Sequence, residues 1–222
     1  IGETFNGKRV LISGSGNVAV YACKKAVELG AKVVGMSNSG GYITDDSGID
    51  PKVVEEIYLR HGRIEEYTKS VSTAKFVEGP RNMWFDLKAD VVLPCATQNE
   101  IDEEAARAIV KNGAKVVCEG ANMPDTPEAI RIYKESGVLY APGKASNAGG
   151  VAVSGLEMSQ NSARLGWSFE KVDSMLEEIM KSIYKSCVKA AEEYGFGYDL
   201  EAGANIAGFG KVCDAMLAQG IY

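Results

Sequence analysis

Residues Gly14-Ser15-Gly16-Asn17-Val18-Ala19 form a GxGxxA string between a short apolar run and an amphipathic segment. That spacing suits a pyrophosphate. Gly14 lets the chain turn tightly, Gly16 lets a phosphate approach the backbone, and Ala19 lets the following helix lie close to its sheet. A helix starting here offers free N–H groups and about half a positive charge to an anion. Glycine is common in this chain, 25 residues in all, so the bare string could be a structural turn. Its strand–turn–helix context is what favours a dinucleotide.

A second group of residues bears on which dinucleotide. NAD sites place Asp or Glu roughly 20 residues past the turn, against the ribose 2′-hydroxyl. This chain has Ser37-Asn38-Ser39 there. Three polar side chains without a carboxylate would hydrogen-bond a 2′-phosphate and not repel it, and Arg60 and Arg63 lie in reach of the same region. NADP is therefore favoured, with NAD still open and an ordinary turn as the alternative. The lone histidine, His61, sits in a polar stretch and reads as a surface residue. Five cysteines, an odd number with no close spacing, predict neither a disulfide framework nor a metal site but reduced, mostly buried thiols in a cytoplasmic protein.

The elements that must position these groups alternate over about the first 145 residues. Strands are predicted at Lys8–Ser13, Ala31–Ser37, Asp90–Pro94, Lys115–Glu119 and Val138–Ala141, with a turn and short extension at Gly40–Thr44. The first helix starts at Asn17 with Val18, Ala22, Ala26 and Leu29 on its apolar face, and Gly30 stops it. Asp50-Pro51 caps a second helix to about Leu59, Asp102–Asn112 forms a third, and Thr126-Pro127 opens a fourth. Alternation of this kind implies an α/β, Rossmann-type doubly wound sheet, mostly parallel. After Gly150 only helices are predicted: Val151 to Arg164, a long one capped by Ser168 with Val172, Leu176, Ile179, Ile183, Cys187 and Ala190 on one stripe, and a last one at about Ala204–Leu217.

With 222 residues and 45% hydrophobic side chains, the chain can build a sizeable core. A net charge of -6 without a basic stripe argues against nucleic acid or an anionic membrane as a partner. No apolar run approaches the roughly 20 residues of a membrane span.

Three predicted strand ends carry loops of small and amide residues: Pro94-Cys95-Ala96-Thr97-Gln98-Asn99, Glu119-Gly120-Ala121-Asn122-Met123-Pro124, and Ala141-Pro142-Gly143-Lys144-Ala145-Ser146-Asn147 through Val151. Together with the GxGxxA turn, Ser154-Gly155-Leu156-Glu157-Met158 and Gly203-Ala204-Asn205-Ile206-Ala207-Gly208-Phe209, they closely resemble the hexameric glutamate dehydrogenases of the Glu/Leu/Phe/Val dehydrogenase family. The resemblance runs the length of the chain. It implies the dinucleotide-binding half of an enzyme that reversibly deaminates L-glutamate to 2-oxoglutarate and ammonia with NADP(H).

The resemblance also implies roles. Gly14, Ser15, Gly16, Asn17 and Val18 would hold the pyrophosphate, and Ala96, Thr97 and Asn122 would line the nicotinamide and its ribose. Asn147 would place the carboxamide, and Val151 and Ser154 would face the substrate. On its own, Ser154 reads as a helix hydroxyl bonded to its own backbone. Lys144 is not expected to be catalytic, because the family's substrate lysines and catalytic aspartate lie in a preceding domain. Residues 1–198 would form the dinucleotide domain. Residues 199–222 would form a helical segment that returns to that absent N-terminal domain, and so would be partly disordered, rearranged or packed on another copy. The full-length protein would be a homo-oligomer. Two other readings stay open: a branched-chain or aromatic amino acid dehydrogenase domain, which Ser154 argues against, and a non-catalytic NAD(P)-binding module.

Overall fold

A computed structural model describes residues 2–220. The chain divides into two compact units, residues 1–140 and 141–222.

The first unit alternates strands and helices: β1 (Arg9–Ile12), α1 (Asn17–Glu28), β2 (Lys32–Ser37), β3 (Gly41–Thr44), α2 (Pro51–Leu59), α3 (Tyr67–Ser70), β4 (Lys75–Glu78), α4 (Asn82–Asp86), β5 (Val91–Leu93), α5 (Glu103–Lys111), β6 (Val116–Cys118), α6 (Pro127–Glu135) and β7 (Leu139–Ala141). The strands form one sheet in the order β4-β3-β2-β1-β5-β6-β7. β1 pairs in parallel with β2 and β5, and β5 with β6. β3 and β4 close one side as antiparallel strands.

The strand residues are apolar on both faces because both faces are covered. Val10 and Ile12 enter one buried cluster with Ala19, Val20, Cys23 and Ala26 of α1 and Val54 and Ile57 of α2. Leu11 points the other way, into a cluster with Trp84 of α4, Ala105 and Ile109 of α5 and Ile132 and Tyr133 of α6. Val33 and Val34, and Ile43 and Tyr42, split between the clusters in the same fashion. The sheet is thus wound on both sides, as its pattern predicts.

Helix starts follow their caps. Asp50 accepts from the Lys52 N–H, Asp102 from Ala105 and Thr126 from Ala129. One sequence expectation needs correcting, and one strand was missed. The buried face of α1 is Ala19, Val20, Cys23 and Ala26, while Val18 and Leu29 are about half exposed. The apolar series begins one residue later than read, which leaves Val18 at the open start of the helix. β4 was not foreseen: its two central residues, Phe76 and Val77, lie between charged ends and are too few to show a period.

The second unit holds α7 (Gly143–Ser146), α8 (Gly149–Ala163), α9 (Phe169–Glu193) and α10 (Leu200–Gln219). Ser168 caps α9 through the Lys171 N–H, and Val172, Leu176, Ile179, Ile183, Cys187 and Ala190 are its buried or half-buried stripe. α10 packs on α9 at Gly203, where a Cβ would stand 2.0 Å from the Cys187 carbonyl oxygen. Leu200–Gln219 of the last segment is one helix seated on its neighbour, and the compact division falls at Tyr140/Ala141. Ile221 and Tyr222 of that segment lie outside the described residues.

Candidate functional site

β1 and β5 are adjacent and parallel, yet the chain leaves β1 toward β2 on one side and β5 toward β6 on the other. Their carboxyl ends therefore open a crevice at a topological switch point, where open α/β sheets bind ligands. A cavity of about 700 Å³ lies there. It is lined by Gly14, Ser15 and Gly16 after β1, by Ser37, Asn38 and Ser39 at the end of β2, and by Cys95, Ala96 and Thr97 after β5. Eight of the cofactor-binding candidates named from the sequence thus meet in one place.

The turn is built for close approach. Gly14 has φ +89°, and a Cβ on it would meet the Cys95 carbonyl oxygen at 3.1 Å and Ala96 Cα at 3.2 Å. Its N–H donates to Ser37 Oγ at 3.2 Å, which ties the turn to the end of β2. Gly16 is the N-cap of α1 and supplies no side-chain oxygen to the first-turn N–H groups. Asn17 and Val18 are exposed beside it. The helix N-terminus is open to an anion, as the motif predicts.

Sequence reading missed the pair that holds the two strand ends together. Ser13 Oγ donates to Glu100 Oε1 at 2.6 Å and accepts from the Cys95 N–H at 2.8 Å and the Ala96 N–H at 3.2 Å. Ser13 reads in sequence as one more strand residue, and Glu100 as a loop carboxylate. Burial pushes the Glu100 carboxyl up, against the opposing pull of the Ser13 hydroxyl and the Ala96 and Thr97 N–H groups. Burial likewise pushes the Cys95 thiol up to about 12, so it carries no thiolate at neutral pH and is a packing residue.

At the β2 end the polar residues are partly committed. Asn38 Oδ1 accepts from the N–H groups of Gly40 and Gly41, and its Nδ2 donates to Glu65 Oε2 at 3.0 Å. Arg63 lines the cavity, whereas Arg60 pairs with Glu66 at 2.8 Å and is not among the lining residues. Arg81, which sequence reading passed over, also lines the cavity and pairs with Asp102 at 2.6 Å and Glu104 at 2.9 Å. His61 is exposed, as expected.

The β5 and β6 end loops are stitched by backbone bonds: the Gly120 and Ala121 N–H groups donate to the Pro94 carbonyl, and the Asn99 N–H to that of Met123. Asn122 is exposed on the second loop. Behind it Asp125 is buried and accepts from the Tyr133 hydroxyl at 2.8 Å. Burial, with the neighbouring Glu119, raises the Asp125 carboxyl well above the usual carboxylate range.

The remaining candidates lie in the second unit. Asn147 caps the end of α7 and is half buried. Val151 is exposed on α8, and Ser154 Oγ donates to the Gly150 carbonyl of its own helix at 3.2 Å. Lys144 is exposed and donates to Asn205 Oδ1 at 2.8 Å.

A family model described as glutamate/leucine/phenylalanine/valine dehydrogenase matches residues 1–220. The chain belongs to this family. An NAD(P)-specific glutamate dehydrogenase of Xylanibacter ruminicola is 51% identical over 100% of this chain and 50% of its own length. An NADP-specific glutamate dehydrogenase of Escherichia coli is 51% identical over 99% of this chain and 49% of its own. Among solved structures, Plasmodium falciparum glutamate dehydrogenase superposes with a TM-score of 0.91 at 43% identity, over 97% of this chain and 47% of that one. The hetero-hexameric enzyme of Thermus thermophilus does so at 0.84 and 27% identity, over 100% and 50%. The chain thus spans about half the length of the relatives it matches, and the family's α/β architecture is the one seen here.

Proposed function

We propose that this chain is the cofactor-binding half of a glutamate dehydrogenase that uses NADP(H) and also accepts NAD(H). The observation that carries the reading is the uncapped N-terminus of α1 at the β1/β5 switch point, with Gly14 packed against Cys95 and a 700 Å³ cavity in front of it. When bound, the nicotinamide would supply the hydride acceptor or donor for interconversion of L-glutamate with 2-oxoglutarate and ammonia. This chain's residues would bind and orient. The Gly14–Val18 backbone would take the pyrophosphate, Ala96, Thr97 and Asn122 would flank the nicotinamide ribose and ring, and Asn147 would take the carboxamide. Arg63 and Ser37–Ser39 would meet a 2′-phosphate. Val151 and Ser154 would form one wall of the glutamate pocket, and the acid–base groups would come from the other half. The full-length protein would be a cytoplasmic homo-oligomer.

Titration of the chain with NADPH and NADH tests this reading. Binding of both, with NADPH tighter, and no glutamate-dependent reduction of NADP by the chain alone are expected. Failure to bind either, or turnover by the chain alone, would sink it.

A further inference from the structure

We propose that Glu65 sets how strongly this chain discriminates a 2′-phosphorylated dinucleotide from an unphosphorylated one, by holding the Arg63 guanidinium for which the phosphate would compete. The inference rests on the reading above, which puts the adenosine ribose at the end of β2.

In sequence, Ser37-Asn38-Ser39 lacks the carboxylate that an NAD site uses. The fold brings one in from elsewhere. Glu65 lies in a single 3₁₀ turn, Ile64–Glu66, and its two oxygens serve two different residues of the β2 end region. Oε1 accepts from Arg63 Nε at 3.1 Å and Nη2 at 2.7 Å, both arms of the fork. Oε2 accepts from Asn38 Nδ2 at 3.0 Å. Asn38 is itself fixed, because its Oδ1 takes the Gly40 and Gly41 N–H groups. Glu65 is the anchored partner, with its side chain 24% exposed, and Arg63 the free-standing one at 70%.

The arginine that lines the cavity therefore arrives already neutralised. A 2′-phosphate gains Arg63 only by taking it from Glu65, and it then stands near the carboxylate it has displaced. A 2′-hydroxyl faces neither cost. Arg81, the other lining guanidinium, is held in the same way by Asp102 and Glu104. Glu65 thus tempers a preference that the polar β2 end would otherwise make strong, which is what dual use of NADP and NAD requires.

Glu65→Gln keeps an oxygen for Asn38 and removes the charge. The chain and this variant are titrated with NADPH and with NADH by nicotinamide fluorescence. Affinity for NADPH should rise about fivefold and that for NADH change by less than about twofold. In an Arg63→Ala background the same substitution should no longer favour NADPH. An unchanged NADPH/NADH ratio in a folded Glu65→Gln variant overturns the inference, while a persisting NADPH preference would leave the cofactor reading intact. Absence of binding by either dinucleotide overturns both. Should Glu65→Gln fail to fold, Glu65→Asp weakens the fork pair with its shorter reach, and NADPH must again gain on NADH.

Discussion

The two compact units treat apolar side chains differently. In residues 1–140, Ile12, Met36, Tyr67, Met83 and Ile101 are closed off from solvent on one or other face of the sheet. In residues 141–222, side chains as large as Phe169, Phe209 and Leu217 stand 79%, 64% and 72% exposed, and among the described residues the buried apolar ones include Leu156, Cys187 and Ala191. The first unit completes its own core. The second holds together through α8 and α10 against α9, and it leaves several large apolar side chains open to solvent. That is the pattern expected of a segment shaped for a partner, and under the proposed function the other half of the enzyme is that partner.

The comparison can be broken first at Gly14. Gly14→Val forces a β-branched residue to φ +89° and drives Cβ against the Cys95 carbonyl. The strain, about 3 kcal/mol, should lower dinucleotide affinity about a hundredfold or more in a titration while leaving the helices of the second unit in place. Gly203→Ala is the matching test in the second unit. Its Cβ would overlap the Cys187 carbonyl, so α9 and α10 must separate at a cost of about 1–3 kcal/mol. Thermal unfolding should record that loss with NADPH affinity unaltered, and an equal fall in affinity would show that the units do not behave separately.

A smaller effect is expected from Asp125. Its folded-state pKa is raised, by burial first, so the native chain holds a proton that the unfolded chain releases above the ordinary carboxylate value of about 3.9. Stability from this group is therefore present at low pH and lost as pH rises through the folded value. Asp125→Asn keeps an acceptor for Tyr133 and removes the titration. Its melting temperature should fall less between about pH 5 and about pH 8 than that of the parent chain. The smallest effect belongs to Phe209→Ser. In this chain it should change stability by no more than about 0.5 kcal/mol, because the ring is already in water. Joined to the other half that the proposed function calls for, it should cost measurably more, and equal costs in both would show that this face meets no partner.

What could be read in sequence was local. GxGxxA shows because its three positions fall within six residues of one backbone, and the starts at Asp50, Thr126 and Ser168 show because a cap acts within three residues. The unread features were set by distance along the chain. Ser13 meets Glu100 across 87 residues, and Glu65 reaches Asn38 across 27. Neither carboxylate has a neighbour in sequence that marks it. The face of α1 was misjudged by one residue because Val18 is apolar without being buried. The small and amide loops after β5 and β6 were visible as composition, but only the fold shows them stitched together through Pro94 and Met123.

The antiparallel pair β3 and β4 also governs how this sheet meets other molecules of its own kind. A sheet ends in a row of unsatisfied backbone groups that can recruit a strand from another chain. Here the outermost strand on that side is four residues long, and exposed Lys75 and Glu78 stand at its two ends. A protein synthesised to high concentration is thereby given a border too short and too charged to seed stacking, while the buried, apolar strands β1 and β2 lie inside the sheet and never reach it.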